Sequence, residues 1–360
     1  GTTNFATRHM GENAPIYSTH INDHILTFGD TANLRAAIRE MDLSGRFEAI
    51  AVAVSSSTAI IGFDVESFCE EEQDKVKARL IPIAFSALGT DYTVGLTRAM
   101  ELFFKTYVEA CLQKPRSYNI LGCCADEYLI ENDIKELQRT LSEMFDYHCR
   151  MSYPLNTSLR EIRFAAEAEF NIVLRQEALP AAIWMKERFN IPYVFSDCYG
   201  IQEMKKLLKE VSEVIRVSPR CAQLDSVNAL SAHDKEKHVL ILGNQNSANG
   251  LLRCLTEELE MHNVYAMAFS TTTHNKSIQP YKEEILEKQM RDTGPDILIG
   301  NSILFDFPGH APSIDIPLLK PVGIAMKTPR PHYPLRGISG YNQLTLMLEG
   351  KGKGNVLFGE

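Results

Sequence analysis

The sequence predicts an α/β protein made of several domains with parallel sheets, and its length, composition and periodicity lead to this prediction. The chain has 360 residues, whereas a single hydrophobic core rarely grows beyond about 250–300 residues. Apolar residues make up 44% and charged residues 23% of the chain, as in ordinary globular proteins. From residue 48 onward, short apolar runs alternate with amphipathic stretches, which indicates βα units with parallel strands.

The individual elements follow from this alternation. The apolar runs predict buried strands at residues 49–54, 118–122, 170–174, 191–195, 239–243, 264–269, 296–300 and 322–326. Apolar residues spaced three and four apart are typical of amphipathic helices, and they predict helices at residues 97–112, 133–145, 180–189, 201–214, 248–262, 281–292 and 341–348. A polar break at residues 217–237 and a weaker one at 113–117 predict domains over residues 1–115, 116–225 and 226–360.

Composition excludes several classes of function. The formal net charge of -9 argues against a nucleic-acid-binding surface, which needs clustered Lys and Arg. No run approaches 18 apolar residues, so we expect no membrane span. The first residues are polar and show no export signal, and the eight cysteines contain no Cys-x-x-Cys. We therefore expect a cytoplasmic protein with reduced thiols.

Common catalytic motifs are missing from the chain. It contains neither a Walker A sequence nor Gly-x-Gly-x-x-Gly, so we expect any ATP chemistry to belong to a partner. Gly-x-Ser-x-Gly and His-Glu-x-x-His are missing too. Residues 243–247 follow a predicted strand and precede a helix, where free backbone N–H groups hold an anion in some proteins. An ordinary structural turn is the alternative interpretation.

Two further segments combine residues suited to ligand binding. Arg330, His332 and Arg336 lie in a proline-rich stretch before the last helix, and such a basic loop at a cleft suits an anionic, carboxylate-rich cofactor. A solvated connector is the alternative. Cys123 and Cys124 follow the strand at 118–122, where thiolates could bind iron. The alternative is a pair of buried thiols, because adjacent side chains diverge.

The N-terminal part of the chain resembles the nitrogenase component 1 superfamily. Residues 8–12 read Arg-His-Met-Gly-Glu, residues 18–30 read Ser-Thr-His-Ile-Asn-Asp-His-Ile-Leu-Thr-Phe-Gly-Asp, and Asn-Leu follows at 33–34. That family has an Arg-His segment, a Ser-x-x-Thr-Glu-Asp-x-x-Val-Phe-Gly-Gly turn and an Asn-Leu helix start at the same spacing. Residues 50–65 are similar to its first strand, its cysteine-bearing loop and its Ile-Gly-Asp-Asp-Leu helix start.

Later segments extend the resemblance over nearly the whole chain. Residues 159–174 are similar to the family's Arg-x-Ala-x-x-Ala-x-x-Asn-Ile-Val stretch, and residues 334–340, Pro-Leu-Arg-Gly-Ile-Ser-Gly, are similar to its Pro-Leu-x-Gly-x-x-Gly before the closing helix. The resemblance implies three Rossmann-like or flavodoxin-like domains with parallel sheets around a central cleft. It also implies a homo- or hetero-oligomer with a second component 1-like chain, and electrons from a P-loop iron–sulfur ATPase reductase.

The resemblance also implies where cofactor ligands differ. Family members hold an iron–sulfur cluster between subunits through cysteines of the first loops, and here Ser56 occupies the second such position, with a hydroxyl that binds iron more weakly than a thiolate. Arg175 stands where cofactor-bearing subunits carry a cysteine. An iron–molybdenum-type cofactor is therefore not expected, whereas an iron–sulfur cluster at a subunit interface, held partly by Cys123 or Cys124, is compatible with the resemblance.

Two hypotheses for function follow. The first is an oxidoreductase subunit that receives electrons from the reductase and reduces a bound small molecule. The second is a non-catalytic scaffold or pairing subunit that binds a cluster precursor or small ligand. The residues at Ser56 and Arg175 favour the second hypothesis, and the resemblance in the region where electrons enter favours the first.

The position assigned to Ser56 can be tested by substitution. Replacing this hydroxyl by a thiol, Ser56→Cys, should raise the iron bound when purified apo protein is reconstituted, because thiolate is the better iron ligand. The measurement is iron per chain, and an unchanged stoichiometry would contradict the placement at a cluster.

Overall fold

The structure, a computed structural model, describes residues 17–19, 29–54, 56–84, 91–220, 230–270, 275–300, 314–318 and 332–351, without the side chains of residues 56 and 57. The chain divides into two compact units, Gly1–Ala99 and Met100–Glu360. Every strand pair in the described part is parallel. The predicted α/β class with parallel sheets is therefore confirmed.

The first unit contains a two-stranded sheet flanked by helices. Its elements, in chain order, are α1 (Ala32–Leu43), β1 (Ala49–Ala53), α2 (Ser56–Ile60), α3 (Val65–Gln73) and β2 (Arg79–Ile83), and α4 (Tyr92–Tyr107) runs into the second unit. Ile38, Ile50 and Phe68 are buried together at its core. Asp64 caps α3 by accepting a hydrogen bond from the N–H of Ser67 at 3.0 Å, which satisfies a backbone donor of the first turn.

The second unit begins with a four-stranded sheet in the order β4-β3-β5-β6. Its strands and helices are β3 (Ser117–Cys123), α5 (Ile130–Phe145), β4 (His148–Pro154), α6 (Leu159–Arg163), β5 (Phe170–Val173), α7 (Leu179–Phe189), β6 (Tyr193–Phe195) and α8 (Ile201–Ile215). Every residue of β3 and β5 is buried, because both strands are central and have neighbours on each side. Side chains of α5 and α8 fill the space over this sheet.

A five-stranded sheet in the order β11-β10-β7-β8-β9 completes the second unit. Its elements are α9 (Ala232–Lys235), β7 (His238–Gly243), α10 (Gln245–Arg253), β8 (Asn263–Ala268), β9 (Ile278–Pro280), α11 (Glu283–Thr293), β10 (Ile297–Gly300), β11 (Ile314–Pro317) and α12 (Gly337–Leu348). A π-helical turn, Cys254–Glu258, extends α10. Buried apolar side chains of this sheet, of α10 and of α12 pack together in one hydrophobic core.

Most predicted elements agree with the structure, with differences at edges and ends. The predicted strand at 322–326 lies outside the described residues. The sequence reasoning missed β2, β4, β9 and β11, which are edge strands in the described sheets. These four strands are short or contain polar or proline residues, so they carry no continuous apolar run. The predicted helix at 97–112 is wrong at its end, since α4 stops at Tyr107.

Domain boundaries are only partly visible in the described residues. The three sheets fall within residues 1–115, 116–225 and 226–360, and the exact boundaries between these domains stay a prediction. Within the predicted break at 217–237, residues 221–229 lie outside the described part, and the short helix α9 begins at Ala232 with Ser231 as its cap.

A glycine inside α12 allows the close approach of two backbone segments. A Cβ added at Gly340 would lie 2.3 Å from the carbonyl carbon and 2.6 Å from the carbonyl oxygen of Leu335. Gly340→Ala should therefore lower the stability of the protein by about 1–3 kcal/mol, the usual cost of overpacking a buried site. The measurement is the midpoint of urea unfolding.

Gly95 provides the matched control for this substitution. It also lies in a helix, and a Cβ added there would meet nothing within 4 Å. Gly95→Ala should stabilise the protein by up to about 1 kcal/mol through helix propensity. Equal midpoints for the two variants would show that the approach at Leu335 is not a constraint.

Candidate functional site

The carboxyl ends of strands from both sheets of the second unit meet in one buried region. Turns follow β3, β5, β6 and β7 at residues 123–127, 174–177, 196–200 and 244–247, and residues 335–337 before α12 join them. Open parallel sheets bind ligands outside the carboxyl ends of their strands. The position is therefore where a functional site is expected in this fold.

Arg175 lies in the turn after β5 and is fully buried. Its Nη1 donates to Asp126 at 2.7 and 3.0 Å, and its Nη2 donates to Glu177 at 3.1 Å. The turn after β3 can lie this close to Arg175 because residue 122 is a glycine. Its φ is +90°, and a Cβ at this position would lie 3.0 Å from the backbone nitrogen of Arg175. Arg175 thus ties the end of β3 to the end of β5 through internal carboxylates.

Arg336 directly precedes α12 and is also fully buried. Its Nη1 donates to Glu127 at 2.5 Å and to Asp133 at 2.8 Å, and its Nε donates to the carbonyl of Asp197 at 2.9 Å. The guanidinium lies 4.6 Å from the ring centre of Tyr199, a cation–π distance. One side chain therefore holds the turns after β3 and β6 and the start of α5.

The turn after β7 is bound to the same carboxylates. Asn244 donates from Nδ2 to Glu127 at 2.7 Å, and its Oδ1 accepts the N–H groups of Asn246 and Ser247 at 3.0 and 2.9 Å. Asn246 in turn donates to Glu177 at 2.9 Å. These two N–H groups at the start of α10 already have a partner within the chain, so the geometry agrees with the structural-turn interpretation of residues 243–247.

We call this connected set the carboxyl-end network, and it comprises Asp126, Glu127, Asp133, Arg175, Glu177, Asn244, Asn246 and Arg336. Burial by itself would raise the pKa of Glu127, but the Arg336 and Arg175 cations and the hydrogen bonds from Arg336 and Asn244 hold it below its usual value. Burial does raise the pKa of Asp133, which Arg336 only partly opposes. Glu127 faces two cations and Asp133 one, which accounts for the difference.

Both arginines are charged within the network. Burial alone would lower their pKa values, since it penalises the cation. For Arg336, however, Glu127 and Asp133 raise the pKa well above its usual value, and for Arg175 the neighbouring Cys124, Asp126 and Glu177 do the same. The two cations are therefore compensated within this chain, which supplies four carboxyl groups for the two guanidinium groups.

A second bridge links the turn after β6 with α10. Arg253 donates to the two carboxylate oxygens of Asp197 at 3.0 and 2.8 Å. Glu258, in the π-helical turn, accepts the N–H groups of Ile201 and Gln202 at 2.8 and 3.1 Å and so caps α8. These contacts hold the two sheets of the second unit at a fixed spacing near the network.

The predicted cysteines lie beside this network but carry protonated thiols. Cys123 and Cys124 are both buried, and burial raises the pKa of each thiol. Cys198, nearby, has its pKa raised to about 12 by burial. Among the described residues no group of three or more His, Cys, Asp or Glu side chains could hold a metal ion. A cluster needs four ligands, so the described residues of this chain do not by themselves fit one.

His332 is the remaining predicted residue whose side chain the structure describes, and it does not belong to the network. Ser56 begins α2 in the first unit, and its side chain is outside the described part. His332 is exposed whereas Arg336 is fully buried, so the two do not form one solvent-facing basic loop, and Arg330 lies outside the described residues. The roles predicted for Ser56, Cys123, Cys124, Arg175, His332 and Arg336 in cofactor binding stay predictions.

The sequence reasoning missed the acidic half of the network. Glu127, Asp133 and Glu177 supply the partners of the two arginines. A signal was present, because Asp-Glu at 126–127 and Glu at 177 follow predicted buried strands within five residues. Separately, within the described residues no helix has the length and apolar character needed to cross a membrane.

Comparison with known proteins identifies the family. The sequence profile described as "Nitrogenase component 1 type Oxidoreductase" matches residues 2–342, and the chain belongs to this family. The structure of nitrogenase Cp1 at pH 6.5 superposes with a TM-score of 0.72, covers 97% of this chain and 85% of that chain, and shares 13% sequence identity. At this identity the likeness establishes the fold.

Curated relatives include proteins of different kinds. Over 200 residues, 54% of this chain and 41% of the relative, the chain is 24% identical to the nitrogenase iron-molybdenum cofactor biosynthesis protein NifE from Nostoc sp.. Over 301 residues, 76% of this chain and 59% of the relative, it is 20% identical to a subunit of the light-independent protochlorophyllide reductase from Nostoc sp.. The chain thus spans about half the length of these relatives.

The importance of Arg336 can be measured by removing its charge. Arg336→Met leaves Glu127 and Asp133 buried without their shared cation, and it should cost about 3–5 kcal/mol of unfolding free energy at pH 7. Urea denaturation monitored by circular dichroism gives this value. Arg291→Met is the control, since Arg291 is exposed and its ion pair with Glu287 spans 3.9 Å; it should change stability by less than about 1 kcal/mol.

The loss of stability caused by Arg336→Met should depend on pH in a defined direction. Without Arg336, burial raises the folded-state pKa values of Glu127 and Asp133 above their unfolded values, so their protonated forms are favoured in the folded state. The variant then loses stability as pH rises, and its deficit relative to the wild type should shrink as pH falls towards the ordinary carboxyl range near about 4. A deficit independent of pH would show that lost packing, not charge, is responsible.

Proposed function

We propose that this chain is a subunit of a nitrogenase-like oxidoreductase, which receives electrons from a P-loop iron–sulfur ATPase reductase and reduces a bound small molecule. The observation that carries the proposal is the family match over residues 2–342. It is supported by a relative that is itself part of a reductase, the light-independent protochlorophyllide reductase. The complex would act in the cytoplasm, where disulfide-free thiols persist.

The chain would work in an oligomer with a second component 1-like chain. The described residues of this chain supply two buried, protonated thiols next to the carboxyl-end network and no complete ligand set. An iron–sulfur cluster would therefore need further ligands, either from residues outside the described part of this chain or from a second chain at a subunit interface. In this proposal the described residues have a structural and electrostatic role, because the network holds the ends of four strands together and pairs their buried charges.

A second candidate function is a non-catalytic scaffold or pairing subunit. The specific observation in its favour is that Arg175 and Arg336 are fully buried and that carboxylates of this same chain neutralise both. Side chains that bind an anionic substrate or cofactor keep donors available for it, whereas every guanidinium nitrogen of these two arginines except Nη2 of Arg336 donates within the chain. In this alternative a partner chain performs the chemistry.

Anaerobic purification distinguishes the two candidates. The chain would be co-purified without oxygen together with its neighbouring component 1-like subunit, and iron content and visible absorption would be measured. The oxidoreductase proposal expects a brown complex that contains iron and is re-oxidised by substrate after reduction through the reductase. A colourless, iron-free complex would contradict it and favour the pairing subunit.

A pair of cysteine variants identifies the ligands in that experiment. Cys123→Ser combined with Cys124→Ser should lower the iron content of the complex if these thiols ligate the cluster, because a hydroxyl binds iron more weakly. Cys254→Ser is the matched control, since Cys254 is equally buried but lies in the π-helical turn after α10. Equal iron contents in the two variants would exclude Cys123 and Cys124 as ligands.

A further inference from the structure

A cavity of about 430 Å³ lies between α5 and the edge strand β4, away from the carboxyl-end network. The helix contributes Lys135, Gln138, Arg139 and Ser142, and the strand side contributes Tyr147, His148 and Cys149. His148 begins β4, so the cavity lies towards the amino end of the strand. It is therefore distinct from the network at the carboxyl ends of the neighbouring strands.

The helical wall of the cavity is a regular polar stripe. Positions 135, 138, 139 and 142 are spaced i, i+3, i+4 and i+7, so their side chains lie on one face of α5. The neighbouring face of the same helix, with Ile134, Leu137 and Leu141, is buried in the core. α5 therefore offers amine, amide, guanidinium and hydroxyl groups along one wall of a concave surface.

The charges that line the cavity are cationic. Among the described residues no carboxylate belongs to its lining. Arg139 is held in place by Glu136 at 2.9 Å and Glu143 at 2.6 Å, whereas Lys135 forms no ion pair with any described carboxylate. Because these two carboxylates balance the charge of Arg139, Lys135 is the cation that attracts an anion to the cavity, and the side chains opposite it add hydrogen-bonding groups.

The thiol of Cys149 on the opposite wall is held in place by neighbouring groups. The sulfur of Cys149 lies 3.3 Å from the carbonyl oxygen of Met151 and 3.6 Å from the hydroxyl of Ser152. Burial raises the pKa of this thiol, so it contributes no negative charge at neutral pH.

A second depression of about 270 Å³ adjoins the cavity. It shares Lys135, Gln138 and Cys149 with the cavity and extends along β4 to Ser152. Glu131 and Glu161 belong to its lining, so it is less suited to an anion than the cavity itself. A phosphate group therefore belongs in the cavity, and the depression suits an uncharged or cationic part of a ligand.

We propose that this cavity binds a small phosphate-bearing metabolite, with Lys135 as the principal cation and Gln138, Arg139 and Ser142 as hydrogen-bonding groups around the phosphate oxygens. The volume is within the range of small-molecule sites, about 300–1,000 Å³. Phosphate suits a lining made of several donors and no carboxylate, because its oxygens accept from many directions. The adjoining depression leaves room for the organic part of the ligand.

The proposal is tested by titrating the purified chain with inorganic pyrophosphate in an isothermal calorimeter. Wild type should bind one pyrophosphate per chain, and Lys135→Gln should weaken binding by about tenfold or more through loss of a charge-assisted contact. Lys205→Gln is the matched control, because Lys205 is likewise an exposed lysine of a helix, α8, and forms no ion pair with any described carboxylate. Its affinity for pyrophosphate should equal that of the wild type.

The outcomes separate the alternatives. Equal weakening by Lys135→Gln and Lys205→Gln would show non-specific charge attraction and overturn the proposal. No binding to the wild type would overturn the proposal by itself, and loss of the partner subunit from Lys135→Glu during co-purification would then identify the surface as a protein contact. Thermal midpoints of both glutamine variants should match the wild type, which excludes misfolding as the cause.

Discussion

The ion pairs of Arg336 are the interaction on which the second unit depends. This one guanidinium joins the segment before the final helix to Glu127 after β3, to Asp133 at the start of α5 and to the carbonyl of Asp197 after β6. The backbone N–H groups of Leu335 and Arg336 also donate to Asp133 at 2.7 and 3.0 Å. The closing helix is thereby fixed to the first strand–helix unit of the other sheet.

Burial of the charges of Arg336, Glu127 and Asp133 costs free energy, and the surrounding hydrogen bonds offset this cost. Burial of a charge is least costly where the charge is paired and its remaining hydrogen-bonding groups are satisfied. Here Asn244 and Asn246, from the turn after β7, donate to Glu127 and Glu177, whereas Nη2 of Arg336 is buried without a hydrogen-bond partner among the described residues. Removal of Arg336 leaves Glu127 and Asp133 without their shared cation, so the turns of both sheets are held as a group and not individually.

The network also bears on function. In many α/β proteins the crevice beyond the strand ends receives a ligand, and in this chain the described part of that crevice contains the protein's own ion pairs. Buried, protonated cysteines lie beside it. The region resembles a rigid support more than an open pocket, which is why a second chain is central to the proposed oxidoreductase and why the pairing role is a real alternative.

The α/β class and the central strands could be predicted from the amino-acid sequence, because β3, β5 and β7 are buried on both faces and so consist mainly of apolar residues. Arg175, Arg336, Cys123 and Cys124 could also be singled out as candidate binding residues. Their contacts could not be predicted, since the partners Glu127, Asp133 and Glu177 are brought to them by chain folding, over separations as large as 209 residues. Periodicity reports the burial of a segment, whereas the pairing of charges depends on which strand ends become neighbours, and that is a property of the folded chain.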